Sequence, residues 1–527
     1  MKRKTLKIHM LLLCVMLIGF AGCTAIQPTT NQTTAVSQQE EKQITLKAFA
    51  TAGPYTKGDF NDLEIWKEYE KISGIKVIFE SAISTAVTEK VGLMFASNNL
   101  PDFFFKCGMT PTDVARWAAE GSLIALDPYL KDYAPNLSGY LKNDASIEKN
   151  IRMADGKIYS FTYLVTATPA RISPKLFVNN EWLQKAGIAM PTTTDELYEA
   201  LVLFRDSDFN NNGAKDEIGL TSESALHLYK SLYGSFGLMT RGAAQDRWDI
   251  DTVTNELRFI ATSDRYKEYL QYLNKLFTEK LLDQEFFTND IPKLTAKAQQ
   301  KQVGFAFIHN NNYMGDYKDD YLTLPAPLKG PHGDQIYSGR TIPVGGLTAH
   351  ITNVNKYPAE TVKWIDYFYS EEGIRLYFMG IEGETYYFDG NGDPQFTDFV
   401  VKNPDGLNME EALGRYVAWS GGGNPSVADD RHFGNHLIPK ITVDASNALI
   451  NYTPSEIWGT FIYTTDESTK LAVLQQDINT YVDGMKAQFI AGQVGFDAWD
   501  SYLDKIEKMG LNEYKTIVQT ALDRYNK

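Results

Sequence analysis

Oxygen-bearing side chains crowd the segment DFNNNGAKDE at 208–217. Asp208, Asn210 and Asn212 are spaced two apart, so a chain curling around a point turns all three side-chain oxygens inward. Gly213 allows the sharp turn with positive φ that brings the next carbonyl, that of Ala214, onto the same point. Asp216 and Glu217 close the set. Hard oxygens in this number, three of them carboxylates, suit Ca2+ better than Mg2+, which demands a tighter octahedron and keeps more of its water. The spacing departs from an EF-hand loop: the twelfth position from Asp208 is Gly219, so Glu217 must supply the closing carboxylate two residues early. A polar turn that binds no metal is the other reading of the same residues.

Catalytic patterns do not assemble. His432 and His436 are four apart, but Phe433 stands where a zinc-protease helix carries its Glu, and Gly434 weakens the helix. Ser235 has Tyr233 two residues before it, not the glycine of a nucleophile elbow. The glycines at 421–423 precede no Lys and Ser or Thr, as a phosphate loop requires. The adjacent acids Glu371–Glu372 and Asp429–Asp430 could in principle serve glycoside cleavage, but neighbouring carboxylates point in different directions and sequence shows no facing pair.

The elements that must carry these residues alternate. ITLKAFA from Ile44, IKVIFESA from Ile75 and DFFFK from Asp102 read as strands; 63–72, 86–96 and 111–119 read as helices between and after them. This order predicts a parallel α/β sheet with helices on its faces, and ligands in such sheets bind at the carboxyl ends of strands. Those ends are the loops 55–61, 81–84 and 106–109, which makes Tyr55, Asp59 and Asn61 candidates by position. A hairpin is expected at 154–161, a buried strand at 302–308 (QVGFAFI), a helix at 359–369 and a strongly helical stretch from Lys470.

The start of the chain differs in kind. Lys2, Arg3, Lys4 and Lys7 precede an apolar run from Ile8 to Gly22, too short to span a bilayer comfortably but right for a signal-peptide core. It ends in Phe20-Ala21-Gly22-Cys23, which resembles a bacterial lipobox with Phe20 in place of the usual Leu, and makes Cys23 the expected lipid acceptor. Cys14 would leave with the signal, so only Cys107 remains, and the exported chain has no disulfide. Removing 1–22 takes away four basic groups and no acidic ones, moving the formal charge from −15 to −19. A surface that acidic argues against nucleic acid as a partner. Residues 24–42, rich in Thr, Gln and Ser, read as a flexible polar tether.

These landmarks together resemble the extracellular solute-binding lipoproteins of bacterial ABC transporters, family 1, in the large branch that includes alginate and pectin-oligosaccharide receptors. The resemblance is carried, in order, by AGC at 21–23, DGKIY at 155–159, EWLQKAGIAMPTTTDEL at 181–197, DFNNNGAKDE at 208–217, LPAPLKGPHG at 324–333, GIEGETY at 380–386 and AQFIAGQVGFDAWDSYL at 487–503. It implies a two-lobed α/β fold of the periplasmic-binding-protein kind, with hinge crossings and a ligand cleft between the lobes. On this reading 1–22 is a lipoprotein signal peptide and 23–42 the tether. The first lobe takes 43–160 and 336–400; the second takes 161–335 and 401–527. The implied protein is a monomer, lipid-anchored on the outer face of the cell membrane, that captures an oligosaccharide and passes it to permease subunits without chemistry of its own. The calcium at 208–217 is then structural and remote from the sugar.

Pyranose rings pack their C–H faces on aromatic rings, while their hydroxyls need amide, carboxylate and guanidinium partners. Trp419, beside the triple glycine, is the first stacking candidate, and Trp458, in SEIWGTF, the second; core packing is the competing role for both. Trp182 and Trp364 sit in helical patterns and read as structural. Arg340 follows the expected return between lobes. After DGKIY the family usually continues with Gly, Leu and Pro; here Ser160, Phe161, Thr162 and Tyr163 occupy an expected crossing, which adds Tyr163. Two other functions fit the same composition, a surface polysaccharide-degrading enzyme and a ligand sensor for a membrane signalling partner.

Overall fold

The computed structural model describes residues 43–434, 436 and 438–526. The signal segment, the tether and Cys23 lie outside these residues. The strands are, in chain order, β1 (Thr45–Ala52), β2 (Lys76–Ile83), β3 (Phe103–Phe105), β4 (Phe161–Val165), β5 (Lys175–Asn179), β6 (Ile218–Ser222), the hairpin β7 (Trp248–Ile250) and β8 (Leu257–Phe259), β9 (Val303–Ile308), β10 (Tyr321–Thr323), β11 (Val344–Ile351), the hairpin β12 (Tyr386–Phe388) and β13 (Pro394–Phe396), and β14 (Val427–Ala428).

Two sheets organise the chain, one ordered β14-β4-β11-β3-β1-β2 and the other β10-β5-β9-β6. The three phenylalanines of β3 are wholly buried, as a central strand covered by helices on both faces requires. Phe105 meets Trp66, Trp364 and Phe368 at centroid distances of 5.7, 5.5 and 6.0 Å. The first sheet is mixed, not parallel as the strand–helix alternation suggested. β1 runs parallel to β2 and β3, but β11 is antiparallel to both β3 and β4 because it enters the sheet from the opposite end. In the second sheet β6 and β9 are parallel neighbours, and β5 and β10 antiparallel ones. Phe305 and Phe307 of β9 face one core; Ala306 and Ile308 face a smaller one behind it.

Each sheet has its own apolar core. The first takes residues from 46–164 and 347–428 together with Ile462, the second from 176–328 and 458–522. The segment 401–428, expected with the second lobe, packs with the first: Leu413, Val417, Trp419 and Val427 belong to that core, and β14 pairs with β4 at the sheet edge. Likewise β4, expected to open the second lobe, is a strand of the first sheet. The hairpin expected at 154–161 is a tight turn closed by a single antiparallel bridge between Arg152 and Ile158. The helix Pro111–Ala119 and the strand β9 lie where the sequence pattern puts them. Cys107 is a buried free thiol. Among the described residues no helix is long and apolar enough to cross a membrane.

Candidate functional site

A cavity of about 940 Å3 has walls from both cores. Trp419, Phe433 and the segment Asn408–Glu410 come from the side of the first sheet; Glu223, His227, Asn289, His309 and Tyr313 come from the second. Glu223 follows β6 and His309 follows β9, so two parallel strands of the second sheet direct their carboxyl ends into the cavity, where ligand loops of α/β sheets belong. The Glu223 Oε2 atom accepts from the His309 backbone N–H at 3.2 Å, which ties the two strand ends together. Burial pushes the Glu223 carboxyl up, but contacts with His227 and His309 outweigh it and leave it below the usual carboxylate range.

Trp419 is held from beneath by Lys106. This residue follows β3 with a φ of 58°, and its buried ammonium donates to the Ser420 carbonyl at 2.7 Å and to the Ala418 carbonyl. Burial pushes the Lys106 amine down to about 7. The carboxyl end of β1 adds the second clamp: a side chain on Gly53 would lie 2.1 Å from the Ser420 carbonyl oxygen, so only glycine lets the segment sit there. Gly421, with a φ of 86°, turns the chain away immediately afterwards. The indole thus lies at the carboxyl ends of β1 and β3, tilted on Phe378 and edge-on to Phe433. Its Nε1–H is buried with no acceptor, and the part of the side chain that reaches the cavity is its ring edge.

The loop 208–217 is closed by hydrogen bonds among its own polar groups. Asp208 accepts from the backbone N–H groups of Asn212 and Gly213, at 3.1 and 3.0 Å. The Asp216 carboxylate receives the side-chain amides of Asn210, Asn212 and, from the amino side of β9, Gln302. Burial raises the Asp216 carboxyl and these donors outweigh it, leaving it below its ordinary value. Gly213 has the positive φ, 84°, that the sequence demanded. Glu217 is buried; Oε1 accepts from the N–H groups of Phe209 and Asn210, while Oε2 has no partner. A buried carboxylate oxygen without a donor fits a hard cation. The loop is anchored to the second core through Phe209, whose ring packs on Trp182 and Phe204.

Most of the other candidates are engaged elsewhere. Trp458 is 1% exposed in the second core, packed on Phe461, with Arg241 over its ring and its N–H on Glu456; it is a core residue and not a platform. Asp59 caps the short turn Phe60–Asp62, and the Asn61 N–H and amide hold its carboxyl below the usual range. Asn61 is in turn bonded through both side-chain polar atoms to the backbone of Phe79 in β2. Tyr55 lies in an earlier turn, closed by the Thr56 N–H on the Gly53 carbonyl, and the Gly414 carbonyl accepts from the Lys57 N–H just after it. Tyr163 is half-buried in β4, and burial pushes its phenol up to about 12. Arg340 bonds the Thr453 hydroxyl at 2.9 Å. Of the sequence candidates for ligand contact, Trp419 alone is among the residues lining the cavity. The second-sheet wall was missed, although the strand-end rule applied to QVGFAFI points straight at His309.

Residues 56–374 match the sequence family described as bacterial extracellular solute-binding protein. The chain belongs to that family. This solute-binding protein is 28% identical to the fructooligosaccharide ABC transporter substrate-binding protein FusA of Streptococcus pneumoniae serotype 4, over 100% of its own length and 99% of the relative's. The structure of pneumococcal FusA in complex with kestose superposes with a TM-score of 0.72 at 26% identity, covering 92% of this chain and 99% of that one; a FusA EF-hand mutant in complex with fructo-nystose matches equally well, at 25% identity. An HMO binding ABC-transporter associated solute binding protein from Bifidobacterium longum infantis gives 0.78 at 20% identity, over 92% and 99% of the two chains, which speaks for the fold.

The two lobes of this solute-binding protein are joined by a hinge with a small core of its own. The chain leaves the first core after Leu164, returns to it after Leu328, and leaves it again after Ala428. One apolar residue from each of these passages, Ile172, Tyr337 and Leu449, forms a separate cluster with Tyr452 against it. The Tyr337 hydroxyl donates to the Pro174 carbonyl at 2.8 Å and its N–H to that of Tyr452 at 2.9 Å. Arg171 donates to the Thr341 carbonyl at 3.0 Å. Arg340 thus serves this strap.

Proposed function

We propose that the protein captures an oligosaccharide between its lobes and delivers it to the permease of an ABC importer, without catalysing a reaction on it. The observation that carries this reading is the cavity of about 940 Å3 whose walls come from both cores. A volume of that size is at the upper end of small-ligand clefts, which suits a chain of several sugar rings. A ligand that touches both walls does so fully only when the lobes are closed, so its binding shifts the population toward the closed form that a transporter can distinguish. Trp419 offers the aromatic surface, and Asn310, Tyr313 and Glu410 on the cavity wall offer hydroxyl partners.

Kestose, the ligand in the FusA complex, heads the candidate saccharides. The loop at 208–217 holds structural Ca2+ through Asp208, Asn210, Asn212, the Ala214 carbonyl, Asp216 and Glu217; the unpartnered Glu217 Oε2 supports this, and it would fasten one lobe with no part in ligand contact. Cys23 carries the lipid, the tether follows it, and the monomer is held outside the membrane near its permease, which raises local concentration there. Calorimetric titration of defined oligosaccharides, with the same mixtures assayed for new reducing ends, tests the function. Binding without product formation is expected; release of reducing ends would replace a receptor by an enzyme.

A further inference from the structure

We propose that Glu223, His227 and His309 form a binding site for one zinc-class divalent ion in the second-lobe wall of the cleft. The side chains come from three separate pieces of structure that the second sheet brings to one point. Glu223 follows β6, His309 follows the parallel neighbour β9, and His227 lies in the first turn of the helix Ala225–Tyr233. One ligand atom from each lies within 4.8 Å of the other two. Two neutral imidazoles and a carboxylate are the donor set that zinc takes at sites with three protein ligands, whereas calcium and magnesium select oxygen alone.

Three ligand atoms converge on one point. Both Nδ1 atoms approach the same oxygen, Oε1 of Glu223, that of His227 at 2.7 Å and that of His309 closer still. Neither Oε1 nor the His227 Nδ1 makes an aligned hydrogen bond, although the Glu223 side chain is only 2% exposed. The other carboxylate oxygen is already occupied by the His309 N–H at 3.2 Å, which fixes the carboxylate while leaving Oε1 for an ion. A tetrahedral zinc with bonds of about 2.0–2.1 Å holds its ligand atoms roughly 3.3 Å apart, which small χ rotations of the two half-exposed rings supply. All three residues line the cavity, so the remaining coordination position opens toward the bound ligand, as in sites that keep water or a substrate oxygen. The site is separate from the 208–217 loop, which approaches β6 from its opposite end.

The test is calorimetric titration of Zn2+ into chelator-stripped protein that carries no histidine tag, with no saccharide present. The parent is expected to take up one equivalent. His309→Ala and His227→Ala each weaken uptake at least ten-fold, and an Asp208→Ala/Asp216→Ala variant binds like the parent. His309 is 43% exposed, so its variant keeps the fold; an unchanged near-ultraviolet circular dichroism spectrum checks this. Co2+ serves as a second probe, with intense visible bands of four-coordinate geometry in the parent and not in the two histidine variants. Absence of saturable uptake, or uptake by both histidine variants equal to the parent's, overturns the site. Uptake by a protein with no affinity for any saccharide supports the site while overturning the proposed function, and the converse result does the reverse.

Discussion

Lys106→Met separates the support of Trp419 from Trp419 itself. In the parent the buried amine serves the carbonyls of Ala418 and Ser420, and methionine leaves both without that donor. Each orphaned buried carbonyl costs about 1–3 kcal/mol, so the lost bonds amount to roughly 2–6 kcal/mol. Part of this is offset because methionine also removes the cost of burying an ammonium, and that offset depends on pH. The folded-state amine titrates near 7, below its ordinary 10.5, so between those values the unfolded chain holds the extra proton. Stability from this group is therefore lowest when both states are protonated, below pH 7, and rises with pH above it. Between pH 7 and pH 9 the parent should gain roughly 2 kcal/mol relative to Lys106→Met, close to the limit of about 1.4 kcal/mol per pH unit. Denaturant unfolding of both proteins at the two pH values measures the difference, in which Lys175, also buried and pushed down to about 7, cancels. Saccharide affinity of the variant should fall with the loosened indole. A stability difference that is the same at pH 7 and 9, together with unchanged affinity, would refute the clamp.

Asp208→Ala with Asp216→Ala should abolish a calcium-dependent rise in melting temperature. For a free concentration one hundred times the dissociation constant, that rise corresponds to about 2.7 kcal/mol in the parent, and no calcium effect on the parent would remove the ion from the account. Trp458→Ala should cost about 3–5 kcal/mol as a large core truncation, read by denaturant midpoint. A Trp458→Ala protein as stable as the parent but defective in saccharide binding would return that residue to the cleft. Tyr337→Phe removes the hydroxyl bond to Pro174 and should cost about 0.5–1.5 kcal/mol. Its effect should also appear as a shift in the ligand-induced fall of the radius of gyration by small-angle scattering; unchanged closure would mean the strap does not govern it.

Local patterns carried much of the fold. β1, β2, β9 and the helix Pro111–Ala119 are legible because their apolar periodicity and capping are written in adjacent residues, with Thr110 accepting from Asp113 as the cap. The mixed direction of the first sheet was not, since β11 meets β3 across more than two hundred residues and its direction depends on where the chain re-enters. The same long-range packing put 401–428 in the first core. In the site, Trp419 and Trp458 look alike in sequence, each near glycine, and only their distant neighbours separate them: Lys106 and Phe433 hold one at the cleft, Arg241 and Phe461 bury the other. Asp59 and Asn61 occupy a strand-end loop, but their polar atoms are consumed by the turn and by β2. Glu223 and His227 were hidden because nothing local announces that β6 and β9 end side by side.

The most direct measurement of the central claim is the equilibrium affinity of the parent and of Trp419→Ala for kestose and a panel of oligosaccharides of other linkages, by calorimetry. Saturable one-to-one binding of at least one saccharide by the parent, weakened ten-fold or more in a folded Trp419→Ala protein, is the predicted result. An affinity that Trp419→Ala leaves untouched, or a parent that binds none of the saccharides, would contradict capture in this cleft.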